Sequence, residues 1–219
     1  MIQIKKLNKK FSSSSGDVEI FKNLNLNISS GEFIALIGPS GSGKSTFLNL
    51  LSGLEREYEG ELFIDAKDLK KLSDDEMTDF RGKNISYIFQ NFKLIDNLTV
   101  EENVDLILEL NGLERNFTTA EILEIVWLKS KAKTLASFLS GWESQRVAIA
   151  RAFVGKTKIM LADEPTGALD IKNKKIIMDL IQKLHEQTKN TIIMITHDDD
   201  VAKIAGKVYK MQDYSLIPN

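Results

Sequence analysis

Apolar and polar residues alternate where the chain begins. Ile2, Ile4 and Leu7 mark an opening strand, and Leu24, Leu26 and Ile28, separated by asparagines, mark a half-buried second one. Between them residues 12–16 form a polar, serine-rich loop. Ser29-Ser30-Gly31 turns the chain into Phe33-Ile34-Ala35-Leu36-Ile37, an unbroken apolar run. A run of strand length without alternation suits a strand covered on both faces, as in parallel sheets. Residues 46–54 read as a helix.

Further on the period changes. Apolar residues fall at helical spacing over 100–110 and 120–128, with Asn111-Gly112 between the two stretches. Residues from about 91 to 139 thus read as a mostly helical insert. A strand over 158–161, a long amphipathic helix over 170–186 and the apolar strand Thr191–Ile195 follow, with a terminal strand or hairpin over 208–216. Strands alternating with helices imply right-handed crossovers and a mainly parallel sheet. The expectation is one α/β domain over 1–219. Its core spans 1–90 and 140–219, its N-terminal β part is antiparallel, and the helical subdomain lies at about 91–139.

One stretch carries explicit chemistry. Gly38-Pro39-Ser40-Gly41-Ser42-Gly43-Lys44-Ser45-Thr46 fits G-x-x-x-x-G-K-[ST], with an apolar strand before it and a helix after it. Glycines let successive backbone N–H groups turn inward around an anion, and the helix N-terminus adds its positive end. In this pattern Lys44 reaches the β/γ-phosphates and the Ser45 hydroxyl binds Mg²⁺. A glycine-rich turn matching by chance has odds of roughly one in a hundred in such a chain. The flanking strand and helix lower those odds further.

Ile159-Met160-Leu161-Ala162-Asp163-Glu164 is an apolar strand ending in two carboxylates. Side chains at the carboxyl end of a parallel strand face the ligand crevice. Asp163 is placed to hold the metal through its water shell, and Glu164 to polarise an attacking water. Alone, the pair would read as a solvated strand end. Beside a phosphate loop it points to hydrolysis.

Composition narrows the classes. The 219 residues are 42% hydrophobic and 27% charged, ordinary for a globular chain. A net charge of −2 offers no global field for nucleic acid. Cysteine is absent, which removes disulfides and thiolate metal sites. No run approaches the ~18 apolar residues of a membrane span, and the N-terminus has no apolar signal-peptide core. The expectation is no direct membrane insertion and no nucleic acid partner.

These motifs together resemble the nucleotide-binding subunits of ABC transporters, over nearly the whole chain. The resemblance implies a P-loop NTPase (RecA-like) core that binds ATP with Mg²⁺. Gln90, in Phe89-Gln90, looks like the family's Q-loop glutamine, which meets the metal. Leu139-Ser140-Gly141-Trp142-Glu143 and the helix after it look like the signature motif. Ala168-Leu169-Asp170 looks like the D-loop, and His197 like the switch histidine that supports the γ-phosphate. Phe11 stands where the family stacks an aromatic ring on adenine. Leu161 to Asp170 and Phe89 to Leu94 are similar to one group within the family. It contains lipoprotein-releasing, macrolide-export and antimicrobial-peptide-resistance transporters and a cell-division pair. The family implies a head-to-tail homodimer that sandwiches ATP between one phosphate loop and the other subunit's signature helix. It also implies a separate transmembrane permease, which places the chain in the cytoplasm, peripheral on the inner face of the membrane. The loop 93–99 is the candidate surface for that permease.

Two positions depart from the pattern. Trp142 replaces the signature's usual second glycine, and Trp127 replaces a glycine before Leu128. The Trp142 ring either crowds the approaching phosphate, so that Trp142→Gly raises activity, or folds outward and changes little. The function expected is an ATPase powering export of the lipoprotein or peptide type. The alternatives are ATP-driven signalling of the cell-division type and a clamp whose ATPase is weakened by Trp142. A soluble ABC ATPase of DNA repair or translation is disfavoured, because no coiled coil, second nucleotide domain or basic arm is visible.

Overall fold

The computed structural model describes residues 1–13, 16–167 and 169–219. Strand β1 (Ile2–Ser13) pairs antiparallel with β2 (Gly16–Ile28), and Leu24, Leu26 and Ile28 alternate inward as expected. β3 (Phe33–Ile37) is buried at all five positions. The phosphate loop leads into α1 (Lys44–Leu51). β4 (Glu59–Ile64), β5 (Lys67–Asp68) and α2 (Asp74–Asn84) follow, elements for which the apolar pattern gave no expectation. Next come β6 (Ile85–Ile88), α3 (Val100–Asn111), α4 (Thr119–Ile125) and α5 (Gly141–Phe153). β7 (Ile159–Asp163), α6 (Ile171–Thr188), β8 (Thr191–Ile195) and the short α7 (Asp199–Ala202) return to α/β order. β9 (Lys207–Gln212) and β10 (Ser215–Pro218) close the chain as the hairpin alternative. Among the described residues no helix is long and apolar enough to cross a membrane.

The strands form two sheets. One is antiparallel, in the order β2-β1-β4-β5. The other runs β10-β9-β3-β8-β7-β6, parallel except for β10. The larger sheet divides two cores. Phe33, Ala35, Met160, Ala162, Ile192 and Met194 face helices α3 to α6. Ile34, Leu36, Ile159, Leu161, Ile193 and Ile195 face α1 and the antiparallel sheet. Side chains alternate across a strand, so burial on both faces requires the unbroken apolar runs seen in the sequence. Phe47 of α1 is fully buried, edge-on to Phe21 at 5.9 Å, a contact that includes about 1.5–3 kcal/mol of burial free energy.

The insert is less regular than its periodicity suggested. α4 stops at Ile125, where an amphipathic pattern continued to residue 128. Trp127 takes φ +56, and Leu128 N donates to Leu123 O at 2.7 Å, a helix ending in a left-handed residue. Val100, Val104 and Leu108 of α3 and Ile122 and Leu123 of α4 join the same cluster as the sheet.

Candidate nucleotide-binding site

β3 delivers Gly38 to the carboxyl edge of the parallel sheet, and the loop after it wraps onto the start of α1. Gly43 is the N-cap, at φ +99. A Cβ there would stand 2.4 Å from Ile20 Cγ2 and 2.7 Å from Met211 Cε, so the position needs glycine for both space and conformation. The first amides of α1 have no partner within the helix and form an anion seat with its dipole. Lys44 is only 8% exposed, and its Nζ donates to the carbonyls of Gly38 (2.9 Å) and Pro39 (2.8 Å). Burial lowers its pKa, opposed by the carboxylates of Glu164 and Asp163.

The opposite wall is acidic. Asp163 ends β7, and burial raises its pKa, helped by Glu164 and opposed by Lys44. Glu164 takes a left-handed φ of +45, strain of the kind that concentrates at functional sites. Its backbone N–H donates to Ile195 O at 3.0 Å, which ties the turn to the end of β8. His197 Nδ1 lies 3.0 Å from Glu164 Oε1, and Gln90 Nε2 donates to Glu164 Oε2 at 3.4 Å. Both partners come from other strand ends.

A cavity of about 550 Å³ collects these groups. Gly38, Ser40, Gly41, Gly43, Lys44, Ser45 and Thr46 line one side of it. Gln90, Asp163, Glu164 and His197 line the other. Pro39 and Ser42 border a neighbouring cleft behind the loop. Phe11 does not line this cavity. Its ring borders a separate cleft, with Lys9 Nζ 4.3 Å from the ring centroid. It pairs across the hairpin with Val18, two residues from Ile20, which does line the cavity. Ile20 had no sequence signal, because a strand residue's facing depends on register. Of Ala168-Leu169-Asp170, Ala168 lies outside the described residues, and Asp170 caps α6 by accepting from Asn173 N at 3.0 Å.

Ser140, Gly141, Trp142 and Glu143 stand apart from the cavity, at the start of α5. Ser140 is the N-cap, and Glu143 closes a capping box by accepting from Ser140 N at 3.0 Å. Lys131 and Ser140 hold the Glu143 carboxyl down to about 2. Trp142 does not fold into solvent. Half-buried, it packs against the helical core and lies back over Arg146, whose Cζ is 5.0 Å from the ring centroid. Arg151, later in α5, donates to Phe92 O (2.6 Å) and Lys93 O (2.7 Å) and so links the signature helix to the segment after Gln90. Neither arginine's role was legible, since each acts on backbone carbonyls far away in sequence.

A phosphate loop on a parallel sheet, faced by a buried strand-end acid and a carboxylate beside a histidine, defines a P-loop nucleoside triphosphatase. The profile of the ABC transporter family matches residues 21–167. The uncharacterised ABC transporter ATP-binding protein MJ0796 of Methanocaldococcus jannaschii is 42% identical, over 97% of this chain and 94% of its own length. YvrO of Bacillus subtilis, of the same description, is 41% identical over 99% and 96%. The macrolide export ATP-binding/permease protein MacB of Mannheimia succiniciproducens is 39% identical over 99% of this chain, which spans 34% of that protein. A solved dimer of the MJ0796 cassette bound to ADP and Pi superposes with a TM-score of 0.86 at 39% identity, covering 99% of this chain and 96% of that one. The chain belongs to the ABC transporter family and is one of its ATP-binding, ATP-hydrolysing cassettes.

Proposed function

We propose that the chain hydrolyses MgATP within a head-to-tail homodimer and drives a separate transmembrane permease on the inner face of the cell membrane. The observation that carries this is the convergence of Lys44, Gln90, Asp163, Glu164 and His197 on one cavity. The Ser45 hydroxyl, the Gln90 amide oxygen and the Asp163 carboxylate are hard oxygen donors of the kind Mg²⁺ takes. Among the described residues no group of three His, Cys, Asp or Glu side chains could hold a metal alone. Ser45, Gln90 and Asp163 would hold the ion together with oxygens of the bound phosphates. Mg²⁺ held there would supply positive charge that offsets the charge of the phosphate oxygens. Lys44 and the loop amides hold the triphosphate. Glu164, oriented by His197 and Gln90, accepts the proton of the water attacking the γ-phosphorus as the bond to the bridging oxygen breaks.

MJ0796 and YvrO, each named as an ABC transporter ATP-binding protein, support the ATP-binding role, and the solved MJ0796 dimer supports the dimer. MacB, named for both ATP binding and permease, supports an export partner. The helical subdomain, about 91–139, presents the loop 93–99 to that permease. Asn103, fully buried, braces this loop through bonds to Ile95 N (2.8 Å) and Ile95 O (3.0 Å).

Glu164→Gln keeps the side chain's shape and removes the base. Its kcat should fall about 10²–10⁴-fold while calorimetry still records ATP binding. A wild-type chain that binds no MgATP, or a Glu164→Gln chain turning over at the full rate, would sink the reading.

A further inference from the structure

One side chain joins the first turns of α5 to the corner that ends α4. Arg146 Nη1 donates to Val126 O at 2.9 Å and to Trp127 O at 3.2 Å. Those carbonyls belong to the left-handed corner at Trp127. Arg146 is 8% exposed, its Nε is buried with no hydrogen-bond partner among the described residues, and burial lowers its pKa, against Glu143. A guanidinium so far removed from water needs compensation beyond two carbonyls. The indole face of Trp142, one turn back on the same helix, lies within cation–π range.

We propose that Trp142 is a positioning residue. It holds Arg146 against the Val126 and Trp127 carbonyls and so fixes the first turn of α5 in the attitude that meets a partner subunit's γ-phosphate. The proposal rests on the dimeric reading above. A glycine at 142 would open the guanidinium to water. The arginine could then leave the corner, and of the polar ties between α5 and this segment among the described residues the Glu143–Lys131 ion pair would remain, beside the apolar packing of Val126 and Leu128. The ring acts through Arg146 and touches no substrate within its own subunit.

The test compares wild type, Trp142→Gly and Trp142→Phe for steady-state ATPase. ATP-dependent dimer formation is compared in a Glu164→Gln background. Loss of a desolvated cation–π contact predicts a kcat lower by about tenfold in Trp142→Gly, with KM for ATP little changed because the phosphate loop sets it. The dimer midpoint should move to higher protein concentration, and phenylalanine should restore most of both. A Trp142→Gly chain as active as wild type, or more active, overturns the proposal, as does a phenylalanine variant no better than glycine. Should the glycine chain fail to fold, single-tryptophan chains decide. Acrylamide should quench Trp142 in Trp127→Phe several-fold less than Trp127 in Trp142→Phe, and equal quenching overturns the stacking. Absence of ATP binding by wild type would count against the nucleotide reading alone and leave the quenching comparison intact.

Discussion

Trp127 is a residue-scale departure with a physical account. It sits at φ +56 with 59% of its surface exposed. Its N–H donates to Glu124 O at 3.0 Å and Leu128 N to Leu123 O at 2.7 Å, the pair of bonds that ends a helix at a left-handed residue. That conformation costs an L-residue about 1–2 kcal/mol, while glycine adds about 0.5–1 kcal/mol of unfolded-state entropy. Trp127→Gly should therefore stabilise the fold modestly and raise Tm by about 1–3 °C in thermal denaturation. A lower Tm would mean that contacts of the indole outweigh the strain. From the sequence, Trp127 was visible only as a residue out of pattern. Its reason lies in a dihedral angle, which neighbouring residue types do not fix. The same holds for the φ of +45 at Glu164, where residue type showed the carboxylate but not its turn.

At the scale of elements, the starts of α3, α4 and α6 were legible within a residue, while α2 and the end of α4 were not. Ser140 carries a full capping box with Glu143. Ser73, Thr99 and Thr118 begin α2, α3 and α4 in the same way, each with a glutamate three residues on. Cap chemistry is local, so four consecutive residues are enough to encode it. The end of α4 is not local, since Arg146 arrives from α5 to hold it. Glu143 ties the cap to Lys131, and its carboxyl lies near 2, against an ordinary value of 4.5. A depressed carboxyl contributes stability that is fully present above the ordinary value and is lost as pH falls through 4.5 toward 2. Glu143→Gln should thus cost about 1 kcal/mol at neutral pH and flatten the acid limb of stability over that window. Urea unfolding midpoints across pH measure both effects, and a parallel pH profile in the variant would remove Glu143 from the account.

At the scale of the whole molecule, the parallel sheet separates two apolar cores and gathers its chemistry along one edge. β3 supplies the phosphate loop, β6 leads to Gln90, β7 ends in Asp163, and β8 leads to His197. A ligand bound there engages elements from both cores, so it should stabilise the fold as a unit. At 100 times its Kd, MgATP should add about 2.7 kcal/mol, and Lys44→Ala should abolish the gain. Differential scanning fluorimetry reads this as a rise in Tm of about 5–10 °C, absent in the variant. The sequence by itself determined the phosphate-binding chemistry, because nine consecutive residues carry the glycines, the lysine and the hydroxyl that a strand-to-helix turn displays. It also determined that β3, β7 and β8 are buried on both faces, because their apolar runs admit no solvent side. Only the tertiary structure decided that Gln90 reaches Glu164 across 74 residues of chain, that Phe11 stands outside the main cavity, and that Trp142 lies over Arg146. Those contacts depend on crossover order, strand register and rotamer packing, which arise between distant segments and leave no fixed spacing along the chain.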